Sequence, residues 1–440
     1  MKLDTKRTIF VGFAFMAICA FWQVYDSIVP LILKNTFDLN DAVSGIIMAM
    51  DNVVAVFLLP IFGSLSDRTH TRIGRRMPYI IGGMLAAIAL CMLLPLADHL
   101  EIKWLFIVAL GLELLAMATF RSPTVALMPD VTPKPLRSKG NAIINLMGAV
   151  GGIIMLTMIA VLVPKGDRPS YFPVFGFVAG FMLVCLLILV RTTNEPKLVA
   201  KMEEESRALG VDDRMDNVTE TASPLQKIAR RALRLELASV FLWFMGYNAI
   251  TTSFSKYANV YWGLEGGAFA YTLMIAQAAA IVSYVPVGHI ATKIGRRRTI
   301  LGGVAMLAVA FGSCVFFKTF SGMIFFFFIL AGVGWATINV NSYPLIVEMA
   351  GPGNVGKYTG YYYAASQCAQ IITPILSGFV LEYGWKLLGS TNPDAGYVLL
   401  FPYGTLFVAA SFVTILLLPH GHHVANPEKR GILESFDVDD

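Results

Sequence analysis

Five ionisable side chains stand inside long apolar stretches of the sequence: Asp26, Asp51, Glu113, Arg121 and Lys256. A charge at the centre of a lipid bilayer costs at least about 2.5–3.5 kcal/mol, so such residues face a cavity, find a partner, or both. At a rise of about 1.5 Å per helical residue, Asp51 and Glu113 fall near the midplane. Arg121 lies about 12 Å beyond Glu113 along the same stretch, too far to pair with it. Its counter-charge has to come from another helix or from the hydroxyls of a ligand. Asp26 lies toward the outer end of its stretch, and Lys256, close to an outer end, is placed to snorkel. Desolvation disfavours the charged form of a carboxylate, which lets a cavity acid bind and release a proton. Asp51, Glu113 and Asp26 are therefore the proton-coupling candidates. The competing reading is a structural ion pair that only holds Arg121.

Around these charges the sequence offers groups suited to a polyhydroxylated solute, which needs amides or carboxylates for its hydroxyls and aromatic faces for its C–H surface. They are Trp22, Gln23 and Tyr25; Asn141 and Asn145, spaced i, i+4; Tyr247, Asn248 and Thr252; Trp335 and Asn339; and Tyr362 and Gln367. With Arg121 they form the candidate substrate cavity. Taken singly, each amide or hydroxyl is as well explained by helix-to-helix hydrogen bonding, and each aromatic by a preference for the membrane interface. Their recurrence on several segments is what points to a cavity.

These residues need helices to hold them. Hydrophobic residues make up 56% of the 440 and charged residues only 14%, against roughly 25% charged in soluble domains. Lipid must therefore be the solvent for much of the chain. Twelve apolar runs are long enough to span a bilayer as helices: 9–33, 42–65, 78–97, 103–127, 139–163, 172–191, 234–258, 268–289, 299–317, 322–347, 357–381 and 396–419. The first carries Trp22, Gln23 and Asp26 and reads as a span, not a cleaved leader. A charged segment, 192–233, divides the chain into a six-helix bundle over 1–191 and another over 234–419, with a tail at 420–440. Only six Lys or Arg fall in loops on one side: Lys34, Lys103, Lys165, Arg168, Lys318 and Lys386. Most of the other basic residues lie on the opposite side, which predicts an integral cell-membrane (inner-membrane) protein with both termini cytoplasmic.

The halves echo each other. Arg72-Ile-Gly74-Arg75-Arg76 recurs 221 positions later as Lys293-Ile-Gly295-Arg296-Arg297, each time after the second run of its half, and each time followed by a Gly-Gly pair. Within the first copy, Gly63 permits close helix approach, Asp67 can hold a basic side chain or cap a helix, and Arg68, Arg72, Arg75 and Arg76 can bind carboxylates, helix C-termini or lipid headgroups. Repeated halves with a site between them are a recurring plan of transporters.

The pattern Gly63 to Pro78, with its second copy, resembles the signature loop of the major facilitator superfamily, and the twelve-span layout agrees over the whole chain. Ser66-Asp67-Arg68, Arg72 to Pro78, Pro123 to Asp130 and Asn141-Ala-Ile are similar to the sucrose-transporter and glycoside–pentoside–hexuronide:cation symporter branch. That resemblance implies an all-α membrane protein of two pseudo-symmetric six-helix bundles, alternating access with the signature loops locking one gate, and a sugar carried with a cation. The sodium-coupled members carry an acid just before the proline matching Pro123. Here the residues are Arg121-Ser122, and Val53–Pro60 lacks the acids those members use, so the proton is the expected coupling ion, with no other cofactor.

Other classes find less support. A carrier or exporter of a different solute is the alternative. No phosphate-binding loop suggests an ATP-driven pump, no nucleophile–base spacing suggests an enzyme, and the net charge of +5 is explained by its sidedness without nucleic acid. The five cysteines lie singly in apolar runs and read as buried hydrophobes. Asn217-Val-Thr matches a glycosylation sequon but falls on the predicted cytoplasmic side. His420, His422 and His423 lack the acids or cysteines that would make a metal site. A monomer is expected.

Overall fold

The computed structural model describes residues 3–133, 136–166, 168–208, 227–349 and 355–418. The sequon at Asn217, the histidines of the tail and the middle of the central connection lie outside these residues. The described chain is helical: α1 Thr5–Asn35, α2 Asp41–Arg68, α3 Met77–Cys91, α4 Leu93–His99, α5 Lys103–Asp130, α6 Arg137–Leu162, α7 Phe172–Thr192, α8 Glu195–Ala208, α9 Lys227–Val260, α10 Ala270–Ile294, α11 Arg296–Cys314, α12 Met323–Glu348, α13 Val355–Leu387 and α14 Leu400–Leu416. Each of the twelve apolar runs has become one helix, except that the third continues through a break at Met92 into α4, and the last is entered through a 3-10 turn over Pro393–Leu399.

Among the described residues, ten of these elements are long and apolar enough to cross a membrane on their own account. The seventh and ninth runs, in α9 and α11, fall outside that set. Arg231, Arg234, Glu236 and Lys256 dilute α9, and Arg296, Arg297 and Arg298 open α11. Flanked by their neighbours they complete a twelve-helix membrane bundle, while α8 lies in the connection between halves.

Packing repeats between the halves. In the first, α1 packs on α6 and α7, α5 on α2 and α3, and α3 on α7; in the second, α9 packs on α13 and α14, α12 on α10 and α11, and α11 on α14. The halves meet along α1–α9 and along two seams that are counterparts of each other, α2 with α13 and α6 with α10. Where α2 crosses α13, Gly45 faces the backbone of Pro374 and Gly378 faces the carbonyl of Asp41, so that a Cβ on either would collide with main chain. Small residues permit this approach, which van der Waals contact then rewards in a membrane.

Two loops mark the end of the bundle where α1 begins, called the basic end below. Gly74 and Gly295 adopt φ of 117° and 87°, a left-handed shape that costs glycine little. The duplicated motif thus keeps its glycine for the same turn in both halves. Of the Gly-Gly pairs that follow, only the second member packs tightly: Gly83 against Phe120 and Gly303 against Gly334 and Thr337, with Gly82 and Gly302 facing open space.

Candidate functional site

The basic-end loop is built around Arg76, which is buried. Its guanidinium donates to Asp130 at 2.8 Å and to Ser66 Oγ at 2.5 Å, and it pairs with Asp67. Arg75 reaches the other oxygen of Asp130 at 2.8 Å. Glu195, the first residue of α8, accepts from the backbone N–H groups of Arg75, Arg76 and Met77 at 3.0–3.1 Å. A carboxylate there satisfies orphan donors at the start of α3 and meets the positive end of its dipole. In the second half, Arg296 pairs with Glu348 at 2.5 Å, and Arg297 donates to the carbonyls of Ile415 and Leu416 at 3.2 and 3.0 Å, closing the C-terminus of α14. Arg68 and Arg72 are exposed.

Midway along the bundle, Asp26 on α1, Asp51 on α2 and Arg121 on α5 stand close enough for their charges to act on one another. All three are half-buried, and among the described residues none of them joins another in a direct ion pair. The Arg121 guanidinium lies over the Trp22 ring at 5.3 Å. Trp22 in turn meets Tyr25 edge-on at 5.2 Å. Asn52 donates to Asp51 at 2.7 Å, Gln23 donates to Ser27 at 3.2 Å, and the buried Tyr25 hydroxyl lies 3.4 Å from the Met48 carbonyl.

Across the interface, Tyr247 on α9 and Trp335 on α12 stack face to face, centroids 3.6 Å apart and planes within 4°, with Phe244 against the edge of Trp335. The charge of Asp26 reaches the Tyr247 phenol, which also lies near Tyr284 of α10; Tyr284 is beside Asn339. The central cluster therefore draws on both halves: an acid pair and a guanidinium with one indole on one side, a stacked aromatic platform with a second phenol on the other. The Trp22 Nε1 of this cluster is buried without a protein partner, as are two further candidate atoms, Asn248 Nδ2, one residue on from Tyr247 in α9, and Gln367 Oε1 of α13. Buried groups of this kind call for water or a ligand.

Several residues stand elsewhere than the sequence suggested. Glu113 is fully buried inside the first half, with neither carboxylate oxygen bonded and Cys91 of α3 as its electrostatic neighbour. It does not join Arg121 or the cavity acids. Thr252 turns its hydroxyl to the Asn248 carbonyl of its own helix at 2.7 Å, and the buried Tyr362 hydroxyl bonds Ser342 at 3.1 Å. Asn141 and Asn145 are exposed, whereas Asn339, though exposed as well, stays with the central cluster beside Tyr284. Lys256 does not snorkel. It is buried and pairs with Asp41 of α2, because that acid at a helix start offers a charge partner nearer than the membrane surface.

Sequence reasoning missed Asp41, whose place beside the N-cap Asn40 made it look like an ordinary first-turn acid. The structure makes it the centre of a latch at the far end of the bundle. Its carboxylate accepts from Lys256 and from the Tyr397 hydroxyl (2.7 Å), and its own N–H donates to Glu382 at 2.7 Å. Lys34 lies 4.0 Å from Asp41 and 3.9 Å from Asp394. On the other seam, Gln277 of α10 donates to the Ala149 carbonyl of α6 at 3.0 Å, and Gly267 N–H to Val163 at 3.3 Å. Among the described residues, the hydrogen bonds joining the two halves lie from mid-bundle to the far end, and the basic end has none.

Comparison with known proteins agrees with this architecture. The family model of the Major Facilitator Superfamily matches residues 11–283 and 261–436. The chain belongs to the Major Facilitator Superfamily. Among its relatives is the isoprimeverose transporter of Lactiplantibacillus pentosus, 22% identical over 289 residues, or 62% of this chain and 57% of the relative. An uncharacterized symporter of Synechocystis sp. is 29% identical over 150 residues, 31% of this chain and 27% of that protein. The chain thus matches little more than half the length of the first relative and about a quarter of the second. Solved structures share the fold: the nucleoside transporter NupG (TM-score 0.68, 12% identity, 93% of this chain and 100% of that one), and the xylose transporter XylE from E. coli in an inward-open conformation (TM-score 0.64, 14% identity, 94% and 96%). As a member of this superfamily the chain is a multi-pass integral membrane protein.

Proposed function

We propose that the chain is a secondary transporter that moves a sugar or glycoside across the membrane by alternating access, in symport with protons, with both termini in the cytoplasm of a cell whose inner membrane holds it. The observation that carries this reading is the central cluster. Two carboxylates, Asp26 and Asp51, answer one guanidinium, Arg121, beside an indole and opposite the Tyr247–Trp335 platform. With both acids ionised the cluster holds one uncompensated negative charge, and an uncompensated buried charge is costly. A proton on either acid makes the cluster neutral, so loading the proton and closing the cavity favour each other. The aromatic faces and the unpartnered Trp22, Asn248 and Gln367 atoms suit the C–H surface and hydroxyls of a sugar ring. The isoprimeverose transporter among the relatives supports the same solute class. Among the described residues the far end is latched and the basic end has no cross-half hydrogen bond, which supports reading this as an inward-open state.

The test is uptake of a labelled sugar panel into proteoliposomes with an imposed pH gradient, for the parent chain and for Asp26→Asn and Asp51→Asn. Gradient-driven accumulation of at least one sugar is expected, lost in one or both variants while downhill exchange persists. Accumulation unaffected in both, or no sugar carried while another solute is, defeats the proposal.

A further inference from the structure

Away from the central cluster, the far end holds a second polar hollow of about 390 Å3 whose walls come from both halves. The first half supplies Asn35, at the last residue of α1, and Tyr171, which precedes α7; the second supplies Asn259, near the end of α9, and Glu265 in the following connection. Gly166, Gly263 and Gly266 complete the walls, with φ of 130°, 65° and 60°, a backbone shape that suits glycine and leaves that part of the wall free of side chains. Gly266 backs onto the carbonyls of Val163 and Pro164, so the two halves touch at the rim.

The lining has a distinct chemistry. Tyr171 is only 2% exposed, yet its hydroxyl has no hydrogen-bond partner of good geometry; the Asn35 amide stands beside it. The hydroxyl is closed off beside Asn35, so Tyr171 borders the hollow with its other atoms. The hollow is far larger than one water needs and lies within the range of small-molecule sites. Two carboxamides and the Glu265 carboxylate supply donors and acceptors, and the charge of Asp98, which acts on Tyr171, adds to the negative side. That set repels anions and matches the hydroxyls of an uncharged polyol.

We infer that the far end carries a second binding site, for a neutral polyol the size of a monosaccharide, which exists only while the far end is closed. Since opposite halves form its walls, opening pulls the site apart. An occupant therefore holds the closed form, and closure in turn raises affinity for the occupant. The site involves neither the cavity acids nor the aromatic platform, so it does not depend on what the central cavity carries.

The test uses the full chain in proteoliposomes with its five cysteines replaced and Pro169, which also lines the hollow, changed to cysteine as a reporter. A membrane-impermeant maleimide is applied with or without D-xylose, D-glucose or sorbitol. At ten times the dissociation constant, one of these slows labelling about tenfold by simple occupancy. Protection persists when Asp51→Asn is added. It is lost with Glu265→Gln plus Asn259→Ala, and survives in Tyr171→Phe, which keeps the ring and removes only the closed-off hydroxyl. Labelling unaffected by any polyol means a water-filled hollow and overturns the inference. So does protection that vanishes with Asp51→Asn, because it then originates in the central cavity, or protection by choline alone. Failure of sugar uptake with protection intact would sink the proposed transport reading and leave this site standing.

Discussion

Arg121 is the residue on which the central chemistry turns, because it serves two acids and one indole at once. Its guanidinium is flat and stacks where a lysine ammonium would not. We therefore expect Arg121→Lys to fold and keep its charge but to weaken half-saturation for the solute by a factor of about 2 to about 30, the range a cation–π contact contributes. Transport kinetics in proteoliposomes measure it, and an unchanged half-saturation constant would remove Arg121 from the site. That Arg121 needed a counter-charge from another helix was legible in the sequence, since no acid lies within a turn or so of it on its own. Which acids answer it was not legible: Asp26 and Asp51 become neighbours only when α1, α2 and α5 are packed. Glu113 had the same sequence credentials as Asp51, and only the direction it faces, toward α3, separates them.

At the level of helices, the fastening of α8 is the feature the sequence concealed. Glu195 reads as one more acid in a charged connection, yet its carboxylate collects three backbone donors at the start of α3. Replacing it with Gln removes the charge from that helix terminus and should cost about 0.5–2 kcal/mol, the scale of a lost cap. A lowered thermal midpoint with the helical content retained is the expected result; no change would mean that water caps α3 equally well. The same helix is tied to the N-terminus by Arg7–Glu205 at 3.0 Å and Lys201–Asp4 at 3.2 Å. Asp4 accepts from the Arg7 N–H, which, with help from Lys201 and against the opposing effect of burial, holds its carboxyl below the ordinary 3.8. A depressed acid contributes its stability above the unfolded value and loses it as pH falls through the folded one. Half-exposed, it contributes little. Proteolysis within 195–208 should therefore stay slow at neutral pH and quicken only below about pH 4, and no acceleration there would show that Arg7–Glu205 and the Glu195 cap hold α8 without help from Asp4. By contrast, the spans themselves, their number and the turn glycines of the duplicated loop were readable, because hydropathy over some twenty residues and a repeat 221 positions apart survive any detail of packing.

For the molecule as a whole, the question is what keeps one end shut. The Asp41–Lys256 pair is buried on both sides, 3% and 5% exposed. Removing one partner strands the other, at a cost of about 3–5 kcal/mol where the pair stays buried. Opening the far end rehydrates the survivor, so Asp41→Asn should shift the population toward the far-open form. The paired replacement Asp41→Asn with Lys256→Met should restore closure in part. Accessibility of a cysteine placed at position 48 to an impermeant reagent reads both, and equal labelling in all three proteins would mean that the pair is not a latch. Gly45→Leu tests the seam itself: its side chain would meet the Pro374 backbone, so the far end should fail to close and uptake should fall below detection, while the protein remains monodisperse in detergent. Because the α2–α13 and α6–α10 contacts are counterparts under the pseudo-twofold that relates the halves, neither can slide without the other. A wedge in one immobilises its mirror image on the opposite flank of the bundle. A molecule that blocks this carrier thus has two equivalent places to jam it, neither of which has to resemble the cargo.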